Sequence, residues 1–267
     1  MRALLFDIVR LTIWLAILAA IFVPLERLFA LRPQRRLWRT TLENLGFYFF
    51  TSLVPALIMA VPLAALVKLC ALVVPATYYE WVAGLPLSAK VAASLIIGEV
   101  GFYWGHRLAH ASPFLWKYHA VHHRPAQLDW LVNTRAHPVD FIFERLCGLV
   151  PLYLLGLAGT GGLGESVPAM AVIVVGTLWG FFIHANLRWR LGLLEHLVAT
   201  PFFHHWHHSA HAPLDRNFAA MLPFVDRLFG TFHGGSHWPA GYGLSERGVA
   251  NTLPPPTQSA AQPPALG

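Results

Sequence analysis

Residues 85–110, LPLSAKVAASLIIGEVGFYWGHRLAH, hold an apolar run over 85–104 that passes without a break into His106-x3-His110. About 20 apolar residues suffice to cross the hydrocarbon core of a bilayer. The run meets that length, and its helix carries two imidazoles, one turn apart, just past its end. The rest of the chain is of the same kind. Of its 267 residues 56% are hydrophobic and 12% charged, with a mean hydropathy of +0.52, where a soluble domain carries roughly 25% charged residues. The expected fold is all-α: an integral membrane helical bundle of about four to five spans with a cytoplasmic His-rich helical cap, forming one domain over residues 1–250.

Other candidate spans lie on both sides of this stretch. Residues 3–25 form an apolar stretch longer than a signal-peptide core, with no small-residue cleavage site after it, and read as a retained helix. Residues 46–74 are over-long and contain Pro55 and Pro62, which fits a kinked, tilted or re-entrant segment. Residues 141–158 and 167–183 read as a helical hairpin around the glycine-rich 159–164. Arg27, Arg32, Arg35, Arg36 and Arg39 gather after the first run. Such residues collect on the cytoplasmic side of membrane proteins, which accounts for the net charge of +6 without a nucleic-acid partner. With this loop in the cytoplasm and 46–74 as one span, the amino terminus lies outside and every histidine box faces the cytoplasm. If 46–74 is a complete hairpin, the boxes lie together on the opposite side from the arginine loop, and the sequence leaves both readings open. Cys70 and Cys147 lack any CxxC spacing and read as core packing. Residues 251–267, rich in Pro and Ala, are expected to be disordered.

Thirteen of the fifteen histidines fall between His106 and His211, and eight of them form three boxes: His106-x3-His110, His119-x2-His122-His123 and His204-x2-His207-His208. On a helix, positions i, i+3 and i+4 lie within roughly 100° of arc, so each box presents its imidazoles in one direction and can grip a metal. Eight imidazoles exceed what one ion can use, so two metal ions are expected. A structural zinc site uses four ligands, often with Cys, and the HExxH pattern is absent. Glu99 lies seven residues before His106 on the same face, and a carboxylate in an apolar run marks a functional site. Its expected role is to accept the outer N–H of a ligand imidazole and fix its tautomer. His184, beside Asn186 at the end of the last span, has no spacing argument of its own. His205 is about 100° off the face of His204 and is expected at the surface or supporting a ligand. Pro213 places His211 beyond the helix. His137, ahead of Asp140 and Glu144, is expected in a polar network near the site. His196, His233 and His237 carry no spacing argument.

The text around the boxes resembles the fatty acid hydroxylase superfamily, the group of sterol desaturases, C4-methyl sterol oxidases and sphingolipid hydroxylases. The matching text is Glu99-Val-Gly-Phe-Tyr-Trp-Gly-His106-Arg-Leu-Ala-His110, Leu115-Trp-Lys-Tyr-His119-Ala-Val-His122-His123, Asn133-Thr-Arg-Ala-His137-Pro138, His184-Ala-Asn186, Thr200-Pro-Phe-Phe-His204-His-Trp-His207-His208-Ser209 and Asp226-Arg-Leu-Phe-Gly-Thr231. It spans residues 95–243. Asn217-Phe218-Ala219 stands where the family usually has Asn-Tyr-Gly, and Glu99 where Asp is frequent. The resemblance implies two iron ions held only by histidines. It adds His184 as a ninth ligand to His106, His110, His119, His122, His123, His204, His207 and His208, with Glu99, His137 and Asn186 as supporting candidates.

Such a centre keeps nearly all its positive charge and stabilises bound oxygen species. Zinc can occupy the same ligands in purified protein. The chain shows no flavin or NAD fingerprint and no iron–sulfur spacing, so a separate reductase, with a ferredoxin or cytochrome, is expected as electron donor. The substrate is expected to be a lipid, sterol, fatty-acyl or related. The expected activity is O2-dependent hydroxylation or desaturation at a bacterial inner membrane. A di-zinc lipid hydrolase or isomerase and a metal-handling membrane protein are the alternatives; a transporter would place its ligands near the membrane midplane rather than beyond the spans.

Overall fold

The computed structural model describes residues 2–34, 38–159 and 166–244, and the described residues contain helices and two isolated β-bridges but no strand. Arg35, Arg36, most of the glycine-rich turn and the tail from Asn251 lie outside the described residues.

Helix α1 (Arg2–Leu28) and helix α2 (Trp38–Val73) are apolar along nearly their whole length. At 1.5 Å per residue the 36 residues of α2 reach about 54 Å. Residues 46–74 therefore make one crossing-length helix and not a hairpin. A short α3 (Ala76–Ala83) follows and meets α4 (Leu87–Ala111) at 112° across Gly84-Leu85-Pro86. The residue ahead of a proline is pushed out of helical geometry, which fixes the break there. Three helices are long and apolar enough to cross a membrane: α1, α2 and α7 (Val167–His184). The bent α3–α4 pair makes a fourth if it is one span.

Helix starts in the second half share one device. Ser112, His137, Ser166 and Thr200 cap α5 (Pro113–His123), α6 (Pro138–Leu154), α7 and α8 (Pro201–His207), each side chain accepting a first-turn backbone N–H, with proline at the first or second helical position. Proline there removes an N–H that has no helical partner and pre-sets φ. α6 has 17 residues and starts three residues earlier than the expected span. It packs against α4 and α2, and α7 packs against α4, so α4 lies between the two helices expected to pair with each other. The cause lies in α4. Gly98, Gly101 and Gly105 share one face, and a Cβ at Gly101 would fall on the Cys147 carbonyl of α6, while one at Gly105 would lie 2.7 Å from Cys147 Cβ. Small residues at this spacing let two backbones touch. Both cysteines are free; Cys70 is buried, and Cys147 serves this contact.

The arginine segment folds onto the histidine-bearing part of the chain. Ala30 bridges Leu187, Arg32 N donates to Asn186 Oδ1 at 3.1 Å, the Arg32 guanidinium donates to the Pro239 carbonyl, and Gln34 donates to the Leu128 carbonyl at 2.7 Å. Glu26, buried at the end of α1, accepts from Trp130 N and Asn186 N. The end of α1 and the histidine boxes thus share one end of the bundle. A short α9 (Phe224–Leu228) closes the loop after α8 against α4.

Candidate metal centre

Nine imidazoles converge where α4, α5, α7 and α8 meet. They form two groups: His106, His110, His119, His123 and His207, then His122, His184, His204 and His208, with ligating atoms inside each group within 4.8 Å of one another. The boxes are divided between the groups and do not each serve one. His119 and His123, at i and i+4, enter the first group, while His122, about 100° away from His123 around α5, enters the second. α8 and its C-cap do the converse: His204 and His208 join the second group and His207 the first.

What lies behind six of the nine rings fixes which nitrogen faces inward. His106 Nδ1 meets the Phe218 carbonyl at 2.7 Å, His122 the Arg135 carbonyl at 3.2 Å, His184 the Gly180 carbonyl at 2.7 Å and His207 the Arg216 carbonyl at 2.9 Å. A carbonyl only accepts, so these Nδ1 atoms carry the proton and each Nε2 presents a lone pair. His119 Nδ1 faces both oxygens of Asp140 at 3.1 Å, with Glu144 at 3.5 Å, and His110 Nδ1 faces Asp215 at 3.0 Å. Three of these lone pairs have no donor among the described residues. Nε2 of His106, His110 and His207 is buried with no hydrogen-bond partner. His122 and His184 bring two unprotonated Nε2 atoms to 3.0 Å, and the Nε2 atoms of His184, His204 and His208 lie 2.9–3.2 Å apart. The two lone pairs of His122 and His184 at that separation repel unless a cation lies between them. Two nitrogens each about 2.0–2.1 Å from one ion and at right angles are about 3.0 Å apart, so the donor set fits a transition-metal ion in each group. Burial holds the pKa of His123, His204, His207 and His208 well below the usual histidine value and brings His122 down to about 4, keeping them in the neutral, ligating form.

The loop after α8 supplies several of these supports. Asp215 and Asn217 adopt left-handed φ values of 56° and 59°, which Asp and Asn tolerate better than most residues. They flank Arg216, whose carbonyl holds His207. Buried Asp226 accepts from Phe218 N, Ala219 N and Thr231, fixing the strand of chain whose Phe218 carbonyl holds His106. Glu99 belongs to this scaffold. Its Oε1 accepts from Met221 N and Leu222 N at 2.7 and 3.0 Å, and not from an imidazole as the sequence suggested. Loop amides had no partner of their own, and a carboxylate facing the returning loop satisfies two of them.

Other expectations change as well. His137 caps α6 by accepting from Val139 N, and Asn186 ties both backbone groups of Arg32; neither touches a metal-facing imidazole. His205 is fully buried rather than at the surface, bonding the Tyr242 hydroxyl and the Ala185 carbonyl on the far side of α8. His211 lies in an exposed turn, and α8 already ends at His207, well before Pro213. His196, His233 and His237 remain outside both groups. The carboxylates behind His119 are the residues that box spacing missed. Their signal was Asp140 and Glu144 at i and i+4 in a helix whose only other charged residue is Arg145.

A cavity of about 860 Å³ opens onto this centre. His106, His119, His122, His184 and His204 stand at its end, and residues of α1, α2, α4, α6 and α7, from Trp14 and Leu63 to Leu149 and Val172, make its mostly apolar wall.

Residues 91–231, over half of the chain, match the model of the fatty acid hydroxylase family. An ornithine lipid hydroxylase from Rhizobium tropici is 36% identical over 167 residues, covering 60% of this chain and 47% of that protein. Alkylglycerol monooxygenase from Danio rerio is 36% identical over 135 residues, 50% of this chain and 28% of the relative. A methylsterol monooxygenase from Arabidopsis thaliana is 28% identical over 159 residues, 55% and 54% of the two chains. The chain thus spans about half or less of the length of these relatives. No solved structure matches.

Proposed function

The chain belongs to the fatty acid hydroxylase family, and from that premise we propose that it is a membrane-bound oxidoreductase that hydroxylates or desaturates a lipid with O2 at a pair of iron ions. The observation that carries this reading is the convergence of nine imidazoles, with Nε2 atoms of His122, His184, His204 and His208 2.9–3.2 Å apart, on a mostly apolar cavity. His106, His110, His119, His123 and His207 would hold one ion and His122, His184, His204 and His208 the other. Bound there, the metal pair supplies O2 activation, which histidine ligands alone cannot.

The residues of the chain prepare the rest. The cavity wall strips water from the substrate and holds one C–H bond against the imidazole groups, the contribution that positioning makes to catalysis. Asp140, Asp215 and the backbone carbonyls behind His106, His122, His184 and His207 keep the Nδ1 of six imidazoles protonated and so their Nε2 free. The balanced reaction is R–H plus O2, two electrons and two protons giving R–OH and water; desaturation removes two hydrogens and yields two waters. A reductase with a ferredoxin or cytochrome is the proposed source of the electrons, and the arginine-bearing end of the bundle is proposed to face the cytoplasm. The relatives named above act, by their names, on an ornithine lipid, an alkylglycerol and a methylsterol, which supports a lipid substrate.

Elemental analysis of detergent-purified protein from iron-replete cells should give two ions per chain, with O2 consumption on adding membrane lipid extract and reductant. One ion or none in well-folded protein overturns the reading, as does a fully iron-loaded chain that consumes no O2 with any lipid fraction.

A further inference from the structure

We propose that the cavity holds a binding site for one acidic oxyanion of the lipid, a carboxylate or a phosphate, with the Arg145 guanidinium as its partner. This rests on the lipid-oxidising reading above and narrows its substrate to lipids with such a group.

Arg145 lies on α6 and lines the cavity. Its guanidinium carbon lies over the Phe141 ring, which also lines the cavity, at 4.6 Å from the centroid. A ring offers the guanidinium no conventional acceptor, and among the described residues no hydrogen bond or ion pair engages its N–H groups. Glu144, the adjacent residue, does not neutralise it: its carboxylate turns to His119 at 3.5 Å. Asp140 is committed to His119 and Glu99 to the amides of Met221 and Leu222. Arg10, the other cation in the wall, is bound to Asp7 at the exposed rim. Arginine stays charged in any such setting, and a charge within a membrane-embedded cavity is costly unless paired. The counter-charge must then come with the occupant. A planar fork of donors with no acceptor selects an oxyanion, which it meets with two parallel bonds. The contact with Phe141 restricts the fork before the lipid arrives, so less freedom is lost on binding.

The test uses the full chain in neutral detergent, metal-free and zinc-loaded, and measures equilibrium binding of palmitate, hexadecyl phosphate and hexadecanol. Palmitate or hexadecyl phosphate should bind at least roughly tenfold more tightly than hexadecanol in both metal states, the scale expected of a charge-assisted bidentate pair. Whichever of the two is favoured identifies the oxyanion as carboxylate or phosphate. Arg145→Gln should equalise the three ligands while hexadecanol affinity and zinc stoichiometry stay unchanged, which also certifies its fold; Arg145→Lys should recover part of the preference. Equal binding by the wild type overturns the proposal. So does a preference that survives Arg145→Gln, or one seen only with zinc, since the anion would then sit on the metal. Binding is read without turnover, so the two readings fail separately. An intact preference with no O2 consumption removes only the oxidative reading, and turnover without a preference removes only the oxyanion site.

Discussion

Asp140 meets the His119 Nδ1 with both of its oxygens, and few side chains outside the nine imidazoles bear so directly on metal affinity. Asp140→Asn keeps the shape but removes the charge. It should weaken metal binding by about 10- to 100-fold in a chelator competition, the usual effect of losing such a partner; wild-type affinity in this variant would mean that the carboxylate does not tune His119. His184 and His205 make a second contrast. Both are buried, but only His184 has its Nε2 among those of His122, His204 and His208. At saturating metal His184→Ala should retain one ion per chain and His205→Ala two, and two ions in His184→Ala would remove that residue from the site. Proton linkage gives a third expectation. The pKa of His122 lies at about 4, and those of His123, His204, His207 and His208 lie below the ordinary value, so the unfolded chain binds more protons than the folded one once pH drops under about 6.5. The contribution of these groups to stability is complete above that pH and is lost as pH falls toward 4. Metal-free protein should therefore show a melting midpoint that declines between pH 7 and pH 5, and a flat profile would contradict the burial of neutral imidazoles. Eight of the nine imidazoles were legible because helical spacing is a property of the sequence. The acceptors behind them were not, since Phe218, Arg216 and Gly180 contribute backbone carbonyls, which leave no mark on residue identity.

The seam between α4 and α6 sets the distance between His106 and His110 on one helix and Asp140 and Glu144 on the other. At Gly101 any side-chain carbon meets the Cys147 carbonyl, a backbone atom that cannot rotate away. Gly101→Ala should therefore destabilise the bundle by at least the about 1–3 kcal/mol typical of overpacking, with metal content falling together with the thermal midpoint. Gly46→Ala, where a Cβ meets nothing within 4 Å, should leave both unchanged. A wild-type midpoint for Gly101→Ala would show that the helices separate freely. Ser112-Pro113, His137-Pro138 and Thr200-Pro201 mark helix starts, because cap and proline act locally, but hydropathy alone put the start of α6 three residues late, at residue 141. Which helices become neighbours was not written so plainly: the glycine turn suggested that α6 pairs with α7, whereas the small residues of α4 draw it against both.

Across the whole molecule, the single helix α2 and the contacts of residues 30–34 bring the arginine segment and the histidine-bearing helices to one end. Overall hydropathy made the bundle legible, but an over-long apolar run does not reveal whether it crosses once or turns back. In a background without Cys70 and Cys147, cysteines at exposed Arg39 and Arg188 should react with an impermeant maleimide from the same side of sealed vesicles, and one at Glu80 from the other. Arg39 and Arg188 labelling from opposite sides would refute the arrangement. The division of α5 between the two imidazole groups, with His119 and His123 in one and His122 in the other, reaches further than geometry. An ion captured by either group immobilises the helix that the other group needs, so the second capture loses less conformational freedom than the first. Loading should then be positively cooperative. In native mass spectrometry at half-stoichiometric metal, empty and doubly filled chains should outnumber singly filled ones.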